Sequence, residues 1–446
     1  FKTHLSFEPI IAFWENLAKS GSEEEIAFAE AILAEVNQVP AFRKPIKDAM
    51  PFVEKHRKLV DKLMSALFPK ALEFNEIKAA TPPFVFDPIF ATHRFQKITE
   101  FNGGCLGNPS NLDPSLVHFA KFIHACRSLL AKFYNRDIPL ETPFIFSMKD
   151  PDTDLDVHYK MTINGDFIDI NLTGELKELS EADIDYMLDN IIDVDLWKKN
   201  LPPENFEING FVISTLVNVT HNEVLSQLKN NLLESHALLS EEQFHKIRRN
   251  VRSLFKIPDL RVGIGVFDDS LGITNFGHWC WRDLVCKARI KNIGQEFKGS
   301  IYQKVLETDS VVVENMDNLK SPTGIEKAIQ ETKVKSLIVA PLKYDDQVIG
   351  YLELGSSQPK ALNSITMTRV KDILPLFSVA IQRSVEERSN RIDAVIMEKF
   401  TAIHSSVAWR FQDAAENFMK AKESGNAEVE MEPIVFDQVY PLYGMA

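Results

Sequence analysis

Cysteine is scarce in this chain: Cys105, Cys126, Cys280 and Cys286 are the four among 446 residues. None forms a CxxC pair, and nothing suggests a disulfide framework. A reduced, cytoplasmic setting is the simplest expectation. Positive charge is also in deficit, with 50 Lys and Arg against 63 Asp and Glu and a net charge of −13. That balance argues against a broad nucleic-acid surface, which needs clustered Lys and Arg, and against anionic membranes. No apolar run approaches the roughly 18 residues that a membrane-spanning helix needs. GxSxG, HExxH, P-loop and dinucleotide-binding fingerprints are all missing. The chain lacks a starting Met; it opens at Phe1 without a signal-peptide pattern and closes on PLYGMA. Both ends read as cut, so a fragment of something longer is expected.

What is present is ordinary for globular protein, with 45% apolar and 25% charged residues. The length predicts two to four domains at roughly 100–200 residues each. Residues 1–140 read as a helical bundle. Ser22-Glu23-Glu24-Glu25 is a capping box, followed by Ile26, Ala29, Ile32, Leu33 and Val36 at helical spacing. A second helix is expected over 52–74 and a third over 114–134, with Asp113 as cap and Pro114 in the first turn. On the third, His118 and His124 are six apart and do not share a face as i, i+4 metal ligands would.

Residues 141–220 read as a small α+β module. Phe144–Phe146, Val157–Ile163 and Phe167–Ile170 read as strands, with Asn164-Gly165 as a hairpin signal. A helix over 181–192 and a strand over 206–219 follow. Asp150-Pro-Asp152-Thr-Asp154-Leu-Asp156 has the spacing of a calcium loop. Leu155 replaces its glycine and Met161 its final glutamate, so a polar connecting turn is expected.

Further on, Thr220 and Ser240-Glu241-Glu242-Gln243 open two helices. Lys335–Ser357 then holds two apolar runs around Lys343-Tyr344-Asp345-Asp346-Gln347 and predicts a β-hairpin. Pro341 requires a bulge or a sheet edge. A helical pattern continues from about Ser364 to Glu423. Ile392, Ile396, Phe400, Ile403, Val407, Phe411, Ala414 and Phe418 form its near-heptad seam. Residues 424–446 read as a severed strand segment.

Residues 221–385 resemble a GAF domain. The resemblance rests on ordered pieces. A leading helix precedes the strand Arg261–Phe267; Ile293–Ile301 is a glycine-containing turn into a helix; Leu306–Val313 is a helix-to-strand step. Lys335–Ser357 is similar to the family's best-marked segment, with Ala-Pro-Leu, a turn and Ile-Gly-Tyr-Leu-Glu-Leu. It implies a central antiparallel sheet, helices on one face and a small-molecule pocket on the other, within a longer bacterial-type multidomain regulatory protein. Alternation agrees with two faces: Leu260, Val262, Ile264 and Val266 should meet helices, while Arg261, Gly263, Gly265 and Phe267 face the other way. The glycines leave room for something to approach, or mark a bulge or tight packing.

GAF domains bind cyclic nucleotides, bilins, haem, amino acids or nothing. The cyclic-nucleotide pattern is absent, since Met316 follows Asn315. Asp317–Val334 holds no cysteine to attach a bilin. Cys280 and Cys286 lack the third cysteine that a GAF-type methionine sulfoxide reductase would suggest. Trp279 and Trp281 flank Cys280 and are pocket-wall candidates, with core packing or a protomer contact as the alternative. Tyr351 and Glu353 are pocket candidates on the last strand, with a solvated sheet edge as the alternative for Glu353.

The expectation is thus an α+β chain: helical bundle, α+β module, GAF sensor and a long helix over 386–423. No catalytic residues and no metal site emerge, and the cofactor is unknown. A small-molecule ligand, a homodimer along the seam, and a non-catalytic sensory role in the cytoplasm are expected. The alternatives are the regulatory part of a cyclase, kinase or phosphatase whose catalytic segment lies beyond this chain, and a ligand-free scaffold.

Overall fold

Lys2–Leu5, at the head of the expected helical bundle, is a strand (β1). The structure is a computed structural model that describes residues 1–85, 87–104, 114–138, 144–234, 238, 240–266, 298–307, 310–399, 407–423 and 430–434. The chain divides into two units, Phe1–Glu223 and Val224–Ala446.

In the first unit β1 is followed by α1 (Glu8–Ser20), α2 (Glu23–Asn37), α3 (Ala49–Lys55) and α4 (Arg57–Leu63). Then come β2 (Lys78–Thr81), β3 (Phe90–Ala91), α5 (His93–Phe101) and α6 (Pro114–Tyr134). The rest is β4 (Phe144–Lys149), β5 (Asp156–Asn164), β6 (Ile168–Leu172), α7 (Glu181–Asp189), α8 (Val194–Asn200), β7 (Phe206–Gly210) and β8 (Val212–Asn218). Ser22 and Glu25 close the capping box at α2 as their spacing requires. The helix expected over 52–74 is broken instead. His56 leaves helical geometry at φ −112° and ψ 23°, and Pro69 precedes a single 3-10 turn.

The expected boundary at residue 140 is corrected by strand pairing. β1 pairs in parallel with β7, and β2 pairs antiparallel with β8. The sheets run β1-β7-β6 and β3-β2-β8-β5-β4. Strands from the expected bundle therefore complete sheets of the expected module. Asn164-Gly165 is likewise not a hairpin turn: β5 pairs with β4 and β8, whereas β6 pairs with β7. The chain turns a corner between two sheets there, with Asn164 Oδ1 accepting from Asp166 N at 2.8 Å. The opposing corner lies between β7 and β8. Gly210 holds φ +125°, and a Cβ on it would fall 2.1 Å from the Phe167 carbonyl oxygen, so only glycine fits. Asp150, in the β4–β5 connection, accepts from the backbone N–H groups of Asp152 and Thr153 at 3.0 and 2.9 Å. That is the polar turn its sequence suggests.

The helix α9 (Thr220–Leu233) starts in the last residues of the first unit, and the second goes on with α10 (Glu241–Phe255), β9 (Arg261–Val266), α11 (Ile301–Glu307) and β10 (Val311–Val313). It continues with α12 (Gly324–Glu331), β11 (Ser336–Tyr344), β12 (Gln347–Ser356), α13 (Ser364–Lys399) and α14 (Ala408–Glu423). Its sheet is antiparallel in the order β10-β11-β12-β9. The β11–β12 hairpin turns on Asp345 and Asp346, with φ 48° and 62°. Two successive positive values mark the turn whose twist suits antiparallel strands. Pro341 lies beyond the last β10 partner, Val339, and the register shifts between Leu342 and Lys343. No bond to β10 is lost there.

Val262, Ile264, Ala340, Leu342, Leu352 and Leu354 share one core with α9, α10 and α13. The amphipathic helices contribute Leu228, Phe244, Val251, Val370, Ile373 and Phe377 to it. The single long helix over 364–423 is corrected to two. Ile392 of α13 packs with Ala415 and Met419 of α14. One continuous helix would hold residues 392 and 415 roughly 35 Å apart, at about 1.5 Å per residue. The heptad seam is therefore satisfied at Ile392, and partly at Ile396, within the chain. Val407 and Phe411 are half-buried, and Phe400 and Ile403 lie outside the described residues. No described helix is long and apolar enough to cross a membrane.

Candidate functional site

The strand β12 carries two chemistries on alternate residues. Leu352 and Leu354 face the helical core, and Tyr351 and Glu353 face the other side. In register, Tyr351 stands between Pro341 and Gly265, and Glu353 between Val339 and Gly263. β12 is an interior strand and Glu353 has no exposed surface. The alternative of a solvated sheet edge for Glu353 is thus corrected.

A carboxyl group buried this deeply requires hydrogen-bond partners. Tyr302, itself buried on α11, donates its hydroxyl to Glu353 Oε1 at 2.5 Å. Its ring meets that of Tyr351 edge-on, with centroids 5.1 Å apart at 70°. This arrangement favours the aromatic quadrupoles. Ile301, Val305, Met316, Ile325 and Ile329 share one core with Tyr302 and Tyr351. A second buried acid fixes the helix that carries Tyr302. Glu326 Oε1 accepts from Ile301 N at 2.7 Å, and Glu326 Oε2 accepts from Thr323 N at 2.7 Å and from the Thr323 hydroxyl. One carboxylate thereby caps α12 and holds the start of α11.

The space beside Gly265 belongs to Tyr351. A Cβ on Gly265 would lie 2.1 Å from Tyr351 Cζ, so the phenol lies across the glycine. The expectation that Gly265 leaves room for a foreign molecule is corrected to room for this ring. Gly263 is buried beside Glu353. Phe267, Trp279 and Trp281 lie outside the described residues, as do Cys280 and Cys286.

Of the expected pocket residues, the fold brings together Gly263, Gly265, Tyr351 and Glu353. Tyr302 and Glu326 were not anticipated. Their only sequence signal is a Tyr and a Glu within short amphipathic segments, and Glu326 sits three residues after Thr323 as in a capping box. Chemically, the site presents a shielded acid and phenol that can hold a hydrogen-bond donor. Among the described residues no group of three His, Cys, Asp or Glu side chains could hold a metal ion.

No protein-family model matches the chain, and no curated protein matches it. Solved structures do. The free methionine-R-sulfoxide reductase of Neisseria meningitidis, in complex with its substrate, is similar at 15% identity over 37% of this chain and 91% of that one, with a TM-score of 0.27. The GAF domain of the Acinetobacter phosphoenolpyruvate-protein phosphotransferase is similar at 14% identity over 39% and 99%, with a TM-score of 0.27. A phycocyanobilin-bound GAF domain of a cyanobacterial phytochrome is similar at 15% identity over 38% and 98%, again with a TM-score of 0.27. At these identities and scores none of them bears on what this chain binds.

Proposed function

We propose that residues of about 221–385 form a non-catalytic sensory module of GAF type. It holds a small molecule or partner group at the Tyr302–Glu353 face and passes its occupancy to α13. The support is the alternation along β12. Glu353 is bonded to a tyrosine on a separate helix, while its neighbours Leu352 and Leu354 pack in the core that contains α13. A ligand that competes for Glu353 would shift the population of α11 positions. The interior strand lies between that change and α13. The same proposal places the module in a cytoplasmic, multidomain regulatory protein.

Native mass spectrometry of protein purified without added ligand tests this reading. The expected result is an adduct that Glu353→Ala abolishes while Tyr344→Ala, in the exposed turn, retains it. Absence of any adduct, together with unchanged hydrogen exchange in α13 between wild type and Glu353→Gln, would overturn it. One observation favours a second reading, a ligand-free assembly module: the chain's own Tyr351 ring occupies the space over Gly265.

A further inference from the structure

The first unit holds a cleft of about 890 Å³ between α6 and its sheets. Its floor carries apolar side chains among polar ones, for Lys160, Thr162 and Asp166 line it beside Phe144, Met161 and Ile163. Phe144 pairs with Met161, Ile163 with Ser214, and Thr81 with Val212, so strand alternation puts these side chains on one face. Ile168 and Ile170 of β6 add an apolar wall.

The roof is more polar. A helix laid over a sheet normally turns apolar residues to it. α6 uses Ile123, Cys126, Leu129 and Leu130 elsewhere, in the core with Trp197, Leu201 and Phe206. Toward the cleft it presents Lys121, His124, Ser128 and Ala131, three or four residues apart, with Arg127 and Lys132 beside them. Lys121 Nζ donates to the carbonyl of Phe84, which also lines the cleft, at 3.1 Å. Burial pushes the Lys121 ammonium pKa down. Burial, with Arg127 adding to it, does the same for His124. Arg127 and Lys132 are engaged by Asp137 at 3.3 Å and Asp169 at 2.7 Å.

We propose that this cleft binds a small organic anion with an apolar body. Its carboxylate or phosphate head meets Lys121 and His124, and its body lies over Phe144, Met161 and Ile163. The size suits such a ligand, since small-molecule clefts run to roughly 300–1,000 Å³ with an apolar lining and few polar groups. Lys serves either head group as a compact point charge. This site lies in the first unit and is independent of the Tyr302–Glu353 reading.

Isothermal titration of the full chain tests it, with decanoate, decyl phosphate, decyltrimethylammonium and acetate as probes. Decanoate or decyl phosphate should bind, and the comparison of the two identifies the head group. Decyltrimethylammonium and acetate should bind at least tenfold more weakly, a difference of about 1.4 kcal/mol. Lys121→Gln should weaken the anion at least tenfold, and Lys121→Arg should stay within about threefold. Ile163→Trp at the exposed end of the floor should also block binding, at a position 47% exposed where folding tolerates the change. Equal binding of the cationic amphiphile, wild-type affinity in Lys121→Gln and Ile163→Trp, or no binding of either anionic amphiphile would overturn the proposal.

Discussion

Tyr302 and Glu353 are 51 residues apart in sequence, and the phenol donates to the carboxyl at 2.5 Å in a site closed to solvent. The bond ties a two-turn helix to an interior strand. Removing one partner of a buried bond costs more than the bond's net worth, because the other loses a partner that water cannot replace. Tyr302→Phe should therefore destabilise the second unit by about 1–3 kcal/mol. Urea unfolding followed by Trp fluorescence and circular dichroism would measure it. An unchanged midpoint would show that Glu353 finds compensation elsewhere.

The two glycines beside Tyr351 should respond differently. Gly265→Ala drives a methyl into the Tyr351 ring, and Gly350→Ala drives one to 2.3 Å from the Gly265 carbonyl oxygen. Overpacking of this kind costs typically 1–3 kcal/mol. Shortening the ring in Gly265→Ala/Tyr351→Val should recover part of the first loss, whereas Tyr351→Val should not relieve Gly350→Ala. Double-mutant cycles from denaturant midpoints would separate the two cases.

Local signals identified the parts of the fold that have local causes. Leu260 to Val266 alternates, and its apolar half does pack on helices. Ser240 caps α10 by accepting from Gln243 N at 3.4 Å. Pro114–Tyr134 is helical as its spacing predicts. What stayed hidden depends on distant partners. Lys78-Ala-Ala-Thr81 has no β-branched run, and it is a strand because β8, over 130 residues later, pairs with it. Asn164-Gly165 does mark a turn, but turn chemistry says nothing about which strand comes next. The seam from Ile392 has the same period in a helical hairpin as in a dimer, so spacing could not choose between them. At the candidate site Glu353 was visible as an acid in an apolar strand. Tyr302 was not, because a seven-residue helix gives little periodicity to read.

Asp259 joins the start of β9 to the end of β12. It accepts from the Ser357 hydroxyl at 2.5 Å, from Ser357 N at 2.6 Å and from the Ser356 hydroxyl at 3.0 Å. Burial alone would raise its pKa, but the bonds from Ser357 and Ser356 outweigh it and hold the carboxyl below its ordinary value. A depressed folded-state pKa stabilises the protein above the unfolded value, near 3.8, and that stability is lost as pH falls through the folded one. Asp259→Asn should flatten the acid limb of a stability–pH profile below about pH 5. An acid limb identical to wild type would contradict this.

The α13–α14 hairpin should open independently of the sheet. Ala415 is fully buried against Ile392 and Met419, so Ala415→Glu puts a charge into a small apolar contact. Hydrogen exchange should show α14 losing protection while β11 and β12 keep theirs. Loss of protection in both would mean that hairpin and sheet unfold as one cooperative unit.

Cys126 lies fully buried on α6, and burial pushes its thiol up to about 12. Because only the thiolate reacts, a thiol with so high a pKa is inert at ordinary pH. In native protein at pH 8, iodoacetamide should leave Cys126 unmodified, and the same reagent should alkylate it fully in 6–8 M urea, a range that unfolds most domains. Peptide mapping distinguishes it from the other cysteines. The sign for stability follows from the same shift. The unfolded thiol ionises near 9.0 and the folded one near 12, so stability present below pH 9.0 is lost as pH rises through that window. Cys126→Ala removes this alkaline term and leaves a cavity instead, so its midpoint should be lower at pH 8 and fall less steeply between pH 9 and 11. Rapid native alkylation at pH 8 would show that α6 opens locally.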